Sequence, residues 1–381
     1  MAVATTLESL RVEFPVTETW AYLNHATHGP FSRRTVEAIN QVALGWTCPP
    51  TMAGARREAA LVQARENIAA LVGGEPNRVA IVGNLGDAMG LCAAGIDWRD
   101  GDNVVIPKDE FPSVVYAFLN LERKGVTVRL VEKDERGFTD LGRIASAMDG
   151  RTRALVLSHV EFMDGFRHDL ATIGELCRSR GALSIIDITQ SMGAMPIDAD
   201  ANGIDVVAAH GYKWLMASYG FGPIHFSKRA LEQIHPVYVG RLSVNKGFED
   251  LDYALDWRDD ALRFQTGGSN WLSQAAFNAS AELIRAAEPA RTFEHTLALT
   301  DRLLAAVEQK GYTITSCLDR PHRSQIVSFS AGSRVADGAI VAELVKQSVA
   351  VSLRGRGVRA SPYFYNTNED VDRLLAALPR P

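Results

Sequence analysis

Lys213 and Asp187 each stand just past an apolar run. Leu183-Ser184-Ile185-Ile186 leads into Asp187-Ile188-Thr189-Gln190-Ser191, and Val206–Ala209 leads into His210-Gly211-Tyr212-Lys213-Trp214. In sheets built from alternating strands and helices, chemistry gathers outside the carboxyl ends of the strands. A lysine and an acid ending neighbouring strands there suit two readings. One is a solvated cation beside a core-edge or helix-capping acid. The other is pyridoxal phosphate chemistry, in which a lysine amine forms a Schiff base and a carboxylate keeps a pyridine nitrogen protonated. Spacing alone leaves both open.

The elements that must position these residues follow from the apolar periodicity. Between residues 60 and 230, short apolar runs alternate with helical patterns, the signature of a parallel sheet covered by helices. Expected strands are Val79–Val82, Asn103–Ile106, Val126–Val131, Ala154–His159, Leu183–Asp187, Val206–Ala209 and Gly222–Phe226. Their β-branched, nearly continuous apolar character fits strands buried on both faces. Gly86–Ala94, Phe111–Lys124, Leu141–Met148 and Asp169–Arg180 read as the intervening helices.

After Pro236 a polar, aromatic-containing stretch runs to Asn270, followed by one helical run from Ser273 through Lys310. A strand at Gln325–Ser330, a helix at Asp337–Ser348 and a closing helix at Glu369–Leu378 then suggest a small α+β unit. The expected organisation is an N-terminal arm over 1–20, a large domain over 21–270 and a small C-terminal domain over 271–381. The fold class is α/β, a mostly parallel seven-stranded sheet with helices on both faces plus the small α+β domain.

Composition narrows the function classes. The 381 residues exceed one ordinary core and suit two lobes, between which a cleft can form. With 46% hydrophobic and 22% charged residues the chain is an ordinary globular one. A net charge of −5 offers no basic footprint for nucleic acid. Cys48, Cys92, Cys177 and Cys317 are scattered, without the spacing of a disulfide framework or a structural zinc. Met1 to Phe14 lacks a signal-peptide core, and no segment reaches a membrane span of about 18 apolar residues. A cytoplasmic location and no membrane partner are the expectations.

Asp187-x-x-Gln190, Lys213-Trp214-Leu215, Phe264-Gln265-Thr266-Gly267-Gly268-Ser269-Asn270 and Val358-Arg359-Ala360-Ser361 are the chain's most specific marks. Together they resemble the class V branch of pyridoxal-phosphate fold-type I enzymes. That branch holds cysteine desulfurases, kynureninase, isopenicillin N epimerase and several aminotransferases. The resemblance runs from Tyr22-Leu23-Asn24-His25 to Tyr365-Asn366-Thr367-Asn368-Glu369-Asp370 and implies pyridoxal 5'-phosphate as cofactor. It implies Lys213 as the Schiff-base lysine, Asp187 as partner of the pyridine nitrogen and Gln190 as neighbour of the ring oxygen.

The strand-turn-helix at Val82-Gly83-Asn84-Leu85-Gly86-Asp87-Ala88 stands where the family holds phosphate, with Leu85 and Gly86 as amide donors at a helix start. The two threonines common there are absent. His210 and Tyr212 replace the residues that flank the lysine in desulfurases, and either can reach the phosphate. Phe111 stands where relatives stack an aromatic ring, often a His, on the cofactor. Gly267, Gly268 and Ser269 match a loop that crosses to the partner subunit's phosphate, which implies a homodimer with shared sites.

On the substrate side, Arg359 matches the arginine that holds an α-carboxylate, a task suited to its two-pronged planar donor. An α-amino acid is therefore the expected substrate. Asn24, His25, Thr27 and His28 line the substrate side in relatives, while Arg354 and Arg356 read as solvated charges or a second anionic contact. Desulfurases carry a nucleophilic cysteine before this arginine, but Val349 to Arg359 contains none, and the family's substrate-side Asn falls at Phe162. His159, Glu161, Asp164, His168 and Asp169 fall at a strand end and a helix start, so no metal is expected. The implied reaction breaks the substrate Cα–H bond, as an aminotransferase or a β-eliminating C–S lyase of the isopenicillin N epimerase-like branch. Alternatives are an epimerase or a catalytically silent cofactor-binding protein.

Overall fold

The near-continuous apolar runs pack as the central layer. In the computed structural model, which describes residues 6–47, 49, 54–246 and 253–381, seven strands form one sheet. Their spatial order is Val79–Val82, Gly222–Phe226, Val206–Ala208, Leu183–Asp187, Thr152–Ser158, Asn103–Pro107 and Thr127–Val131. Gly222–Phe226 runs antiparallel to both neighbours, and the remaining pairs are parallel. Val104, Val105, Ile106, Leu155, Val156, Ile185 and Ile186 are wholly buried, because helices cover both faces.

That topology sets the carboxyl ends of the parallel strands along one edge. Ser158 pairs with Asp187 and Asp187 with Ala208, so three strand ends stand in one row. Side-chain caps fix the helices that leave this edge: Asn84 accepts from Asp87 N, and Asp169 accepts from Ala171 N.

Two expected helices differ. The run from Phe111 stops at Leu119 and continues only as a 3₁₀ turn at Glu122–Lys124, closed by Gly125 at φ 78°. The run from Ser273 through Lys310 is two helices, Trp271–Ala287 and Pro289–Gln309. Pro289 lacks an N–H and disfavours helical geometry at the residue before it; Glu288 adopts φ 58° and the axis breaks.

Beyond the second helix lies a four-stranded antiparallel sheet in the order Ser352–Arg354, Gly357–Ala360, Val327–Ser330, Thr313–Ile314. The helices Arg334–Lys346 and Asn368–Ala377 accompany it. Ala21–Tyr22 pairs in parallel with Val349–Ala350, so the chain's beginning joins this smaller unit. The described part of the expected arm is docked. Arg11 pairs with buried Asp370 at 2.7 Å, and Phe14 stacks on Tyr365 at 4.2 Å. Helices Arg33–Gly45 and Gly54–Val72 precede the sheet; no helix was assigned there from sequence. Cys48 lies outside the described residues.

Candidate active site

Lys213 sits between the sheet edge and the small antiparallel sheet. It is 7% exposed, and among the described residues no acceptor lies within hydrogen-bonding distance of its Nζ. Burial lowers its pKa to about 8; Asp187 opposes this, while Arg359 and Arg354 add to it. The amine stands 5.4 Å from the Phe111 ring and 5.9 Å from the Tyr212 ring. Asp187, at the end of its strand, accepts the Thr189 N–H at 2.7 Å. Burial raises its pKa, against the Thr189 hydrogen bonds and the Lys213 charge.

Arg359 faces the same cleft from Gly357–Ala360. It is 1% exposed, and one Nη donates to Phe162 O while the other donates to Thr27 Oγ1 at 2.7 Å. Its Nε has no protein partner and no carboxylate neutralises it among the described residues. Burial, then Arg354, lowers its pKa to about 9. A buried guanidinium without a counter-ion calls for an anion from outside the chain.

The Leu85–Gly95 helix begins at this edge. Asn84 Oδ1 takes the Asp87 N–H at 3.0 Å, which leaves the Leu85 and Gly86 N–H groups of the first turn without intrahelical acceptors. Two free amides at a helix start can cradle an anionic group. His210 donates its backbone N–H to Thr189 Oγ1 at 3.0 Å, and burial lowers its ring pKa to about 4, so it serves as a neutral hydrogen-bonding group. Tyr212 stacks on Tyr219 at 4.4 Å, with His28 at 6.0 Å and 6.2 Å from the two rings.

Phe111 meets Phe162 edge-on at 5.5 Å and His210 at 6.5 Å. Glu110, just before it, was not singled out from sequence. Its carboxyl accepts the Ser158 N–H and hydroxyl at 2.6 Å each and the Phe111 N–H at 3.1 Å. This binds the Phe111 turn to the next strand end. The sequence offers only a weak signal for it, since Lys108 and Asp109 separate Glu110 from the strand Asn103–Pro107.

The other expected site residues also make contacts within the fold. Gln190 spends its amide on the fold: Oε1 accepts the Trp214 indole N–H at 2.8 Å and Nε2 donates to Ala26 O at 3.1 Å. Its second Nε2 hydrogen and a second Oε1 lone pair remain for a ligand. His25, expected on the substrate side, is packed inside the protein. Its ring is wholly buried against Tyr363, Trp214 and Tyr365, with neither nitrogen partnered. Asn24 is half-buried, with its Oδ1 out of solvent and without a protein partner. His28 keeps a half-buried ring beside Tyr212. Gly267, Gly268 and Ser269 line an open pocket with Gly83 and Asp87, and space around both glycines is empty.

The five polar residues after Ala154 find local partners. His159 bonds Ser191 at 2.9 Å, and His168 faces Glu161 at 3.3 Å. No group of three His, Cys, Asp or Glu side chains among the described residues is placed to hold a metal. Cys92, Cys177 and Cys317 are buried, and burial raises each thiol pKa.

An unpartnered buried lysine, a strand-end acid, free helix-start amides and an uncompensated arginine fit a bound pyridoxal phosphate and its amino-acid substrate. This is the arrangement of a fold-type I enzyme. The chain belongs to the aminotransferase class-V family, whose model matches residues 50–374. It is a pyridoxal-phosphate-dependent enzyme of the transferase or lyase type.

Among its relatives is a probable cysteine desulfurase of Methanothermobacter thermautotrophicus, 29% identical over 96% of both chains. Isopenicillin N epimerase of Streptomyces clavuligerus is 28% identical over 99% of this chain and 98% of its own. The fold matches the apo cysteine desulfurase of Thermococcus onnurineus NA1 with TM-score 0.88 at 21% identity, over 99% and 98% of the two chains. The cystine C–S lyase C-DES, solved with cysteine persulfide, also gives 0.88 at 23% identity, over 95% and 98%. Among the described residues no helix is long and apolar enough to cross a membrane.

Proposed function

We propose that Lys213 holds the cofactor and acts on an α-amino acid whose carboxylate lies on Arg359, in an aminotransferase or a β-eliminating C–S lyase. The observation that carries this reading is two buried basic groups, Lys213 and Arg359, close to one another and free of hydrogen-bonded counter-ions among the described residues, with Asp187 acting on Lys213 from its strand end.

When bound, the cofactor supplies a carbonyl carbon for amines and a ring that accepts electrons from a carbanion. The residues do the rest. Arg359 offers its Nε and remaining Nη hydrogens to the substrate carboxylate, already oriented by Phe162 O and Thr27. Lys213 Nζ, with a pKa near 8, takes the proton from the substrate Cα as a neutral amine and returns it as an ammonium. Asp187 keeps negative charge at the cleft floor, where a ring nitrogen can hold its proton. Leu85 and Gly86 amides take the phosphate, and Phe111 with Phe162 excludes water above.

The absence of a cysteine from Val349 to Arg359 favours these reactions over desulfuration. The relationship to isopenicillin N epimerase supports epimerisation as a second reading. Domain limits near residues 20 and 270, a homodimer with shared sites and a cytoplasmic location complete the proposal.

An amino-acid panel scored for pyruvate, keto acid and inverted stereochemistry separates the reaction types. Lys213→Ala is expected to abolish turnover and the lysine-linked absorbance; persistence of that absorbance would refute the assignment. No spectral change with any amino acid, despite bound cofactor, would instead indicate a catalytically silent protein.

A further inference from the structure

Strand register puts a second arginine on the face that carries Arg359. In the hairpin of Ser352–Arg354 and Gly357–Ala360, Ser352 pairs with Arg359 and Arg354 with Gly357. Alternation therefore sends the Ser352, Arg354 and Arg359 side chains to one face, toward the cleft. Arg359 is buried at the floor, whereas Arg354 is exposed at the rim.

The hairpin tip is held in place. Gly355 adopts φ 51°, and a Cβ there would come within 2.9 Å of Met163 Cβ, beside Phe162 of the Arg359 clamp. Arg356 donates to Arg136 O at 3.3 Å and lies over Phe138. Arg354 itself makes no hydrogen bond or ion pair among the described residues. Its charge is nonetheless felt at Arg359, Lys213 and Tyr212, so it stands within electrostatic reach of the reacting centre.

We propose that Arg354 is a specificity residue that receives a distal carboxylate, so that the preferred substrate is an amino acid with an acidic side chain. This rests on the assignment of Arg359 to the α-carboxylate. With Arg359 holding one carboxylate, the nearest unpaired cation on the same face is Arg354. Around them stand the half-buried rings Phe111, Phe162 and Tyr212 and the buried, unpartnered Ser352 hydroxyl, and the acids Asp187 and Glu110 are buried. An anionic side chain therefore finds attraction at Arg354, while the exposed carboxylate beside this hairpin, Asp109, shares its pocket with the cations Lys133 and Arg356.

The test is calorimetric titration of the cofactor-loaded protein with two unreactive probes of similar length, glutarate and butyrate. Glutarate is expected to bind about tenfold more tightly, as one charge-assisted contact provides. In Arg354→Gln the two are expected to bind alike, while Arg356→Gln keeps the preference. Equal binding in the natural protein, or a preference that survives Arg354→Gln, overturns the subsite. Arg359→Lys distinguishes the underlying reading: it is expected to weaken both probes, and unchanged butyrate binding would overturn the placing of the α-carboxylate itself.

Discussion

Glu110 closes its carboxyl around Ser158, taking the backbone N–H on one oxygen and the hydroxyl on the other, both at 2.6 Å. The same carboxyl accepts the Phe111 N–H, so one buried acid joins two strand ends and fixes the ring beside Lys213.

Glu110 makes stability fall as pH rises. In an unfolded chain its carboxyl titrates near about 4.3, but burial, then Glu161, pushes it up to about 8 in the fold. Between these values the folded protein holds a proton that the unfolded chain has released. The contribution is fully present below the lower value and is lost as pH rises through about 8. Glu110→Gln keeps a neutral group of the same shape, so its melting temperature should decline less than that of the natural protein from pH 5 to 8. Parallel melting curves across that range would show that the proton is not held there.

Lys213 should react as a weak base. With its pKa at about 8, uptake of pyridoxal phosphate by the apoprotein, followed by absorbance, should quicken with pH up to about 8 and then level off. A rate that keeps rising toward pH 10 would mean that burial does not depress this amine.

Gln190 and Trp214 should couple. Gln190→Ala leaves the buried indole N–H without its acceptor and should cost about 1–3 kcal/mol in denaturant unfolding. In a Trp214→Phe background the same substitution should cost less, by about 1 kcal/mol. Strictly additive losses would argue that the bond contributes nothing.

Cys317 should be dispensable for chemistry. It is buried against Phe138 and Phe166, and burial raises its thiol pKa. Cys317→Ser should retain turnover within a few-fold, with any loss appearing as lower stability. A drop of orders of magnitude at unchanged melting temperature would bring a cysteine nucleophile back into the reaction.

Local signals made the sheet and its two key residues legible. Fully buried parallel strands require unbroken apolar runs, and such runs end where the chain meets solvent, so Asp187 and Lys213 stood out at once. The break at Glu288 was also written locally, in Pro289, although the apolar spacing on either side masked it. The packing of His25 was not legible. Tyr363, Trp214 and Tyr365, which close around its ring, are distant from it in sequence.

The sequence by itself determined the strand–helix alternation, the lysine and acid at strand ends, and the lack of a cysteine before Arg359. Each depends on residue type and near neighbours only. Tertiary structure alone decided what faces what. It assigned Gln190 to Trp214 and Glu110 to Ser158, left Arg359 without a counter-ion, and set Arg354 on its face through cross-strand register. Gln190 and Trp214 are 24 residues apart and Glu110 and Ser158 48, and only the packed sheet and the docked hairpin bring such partners together.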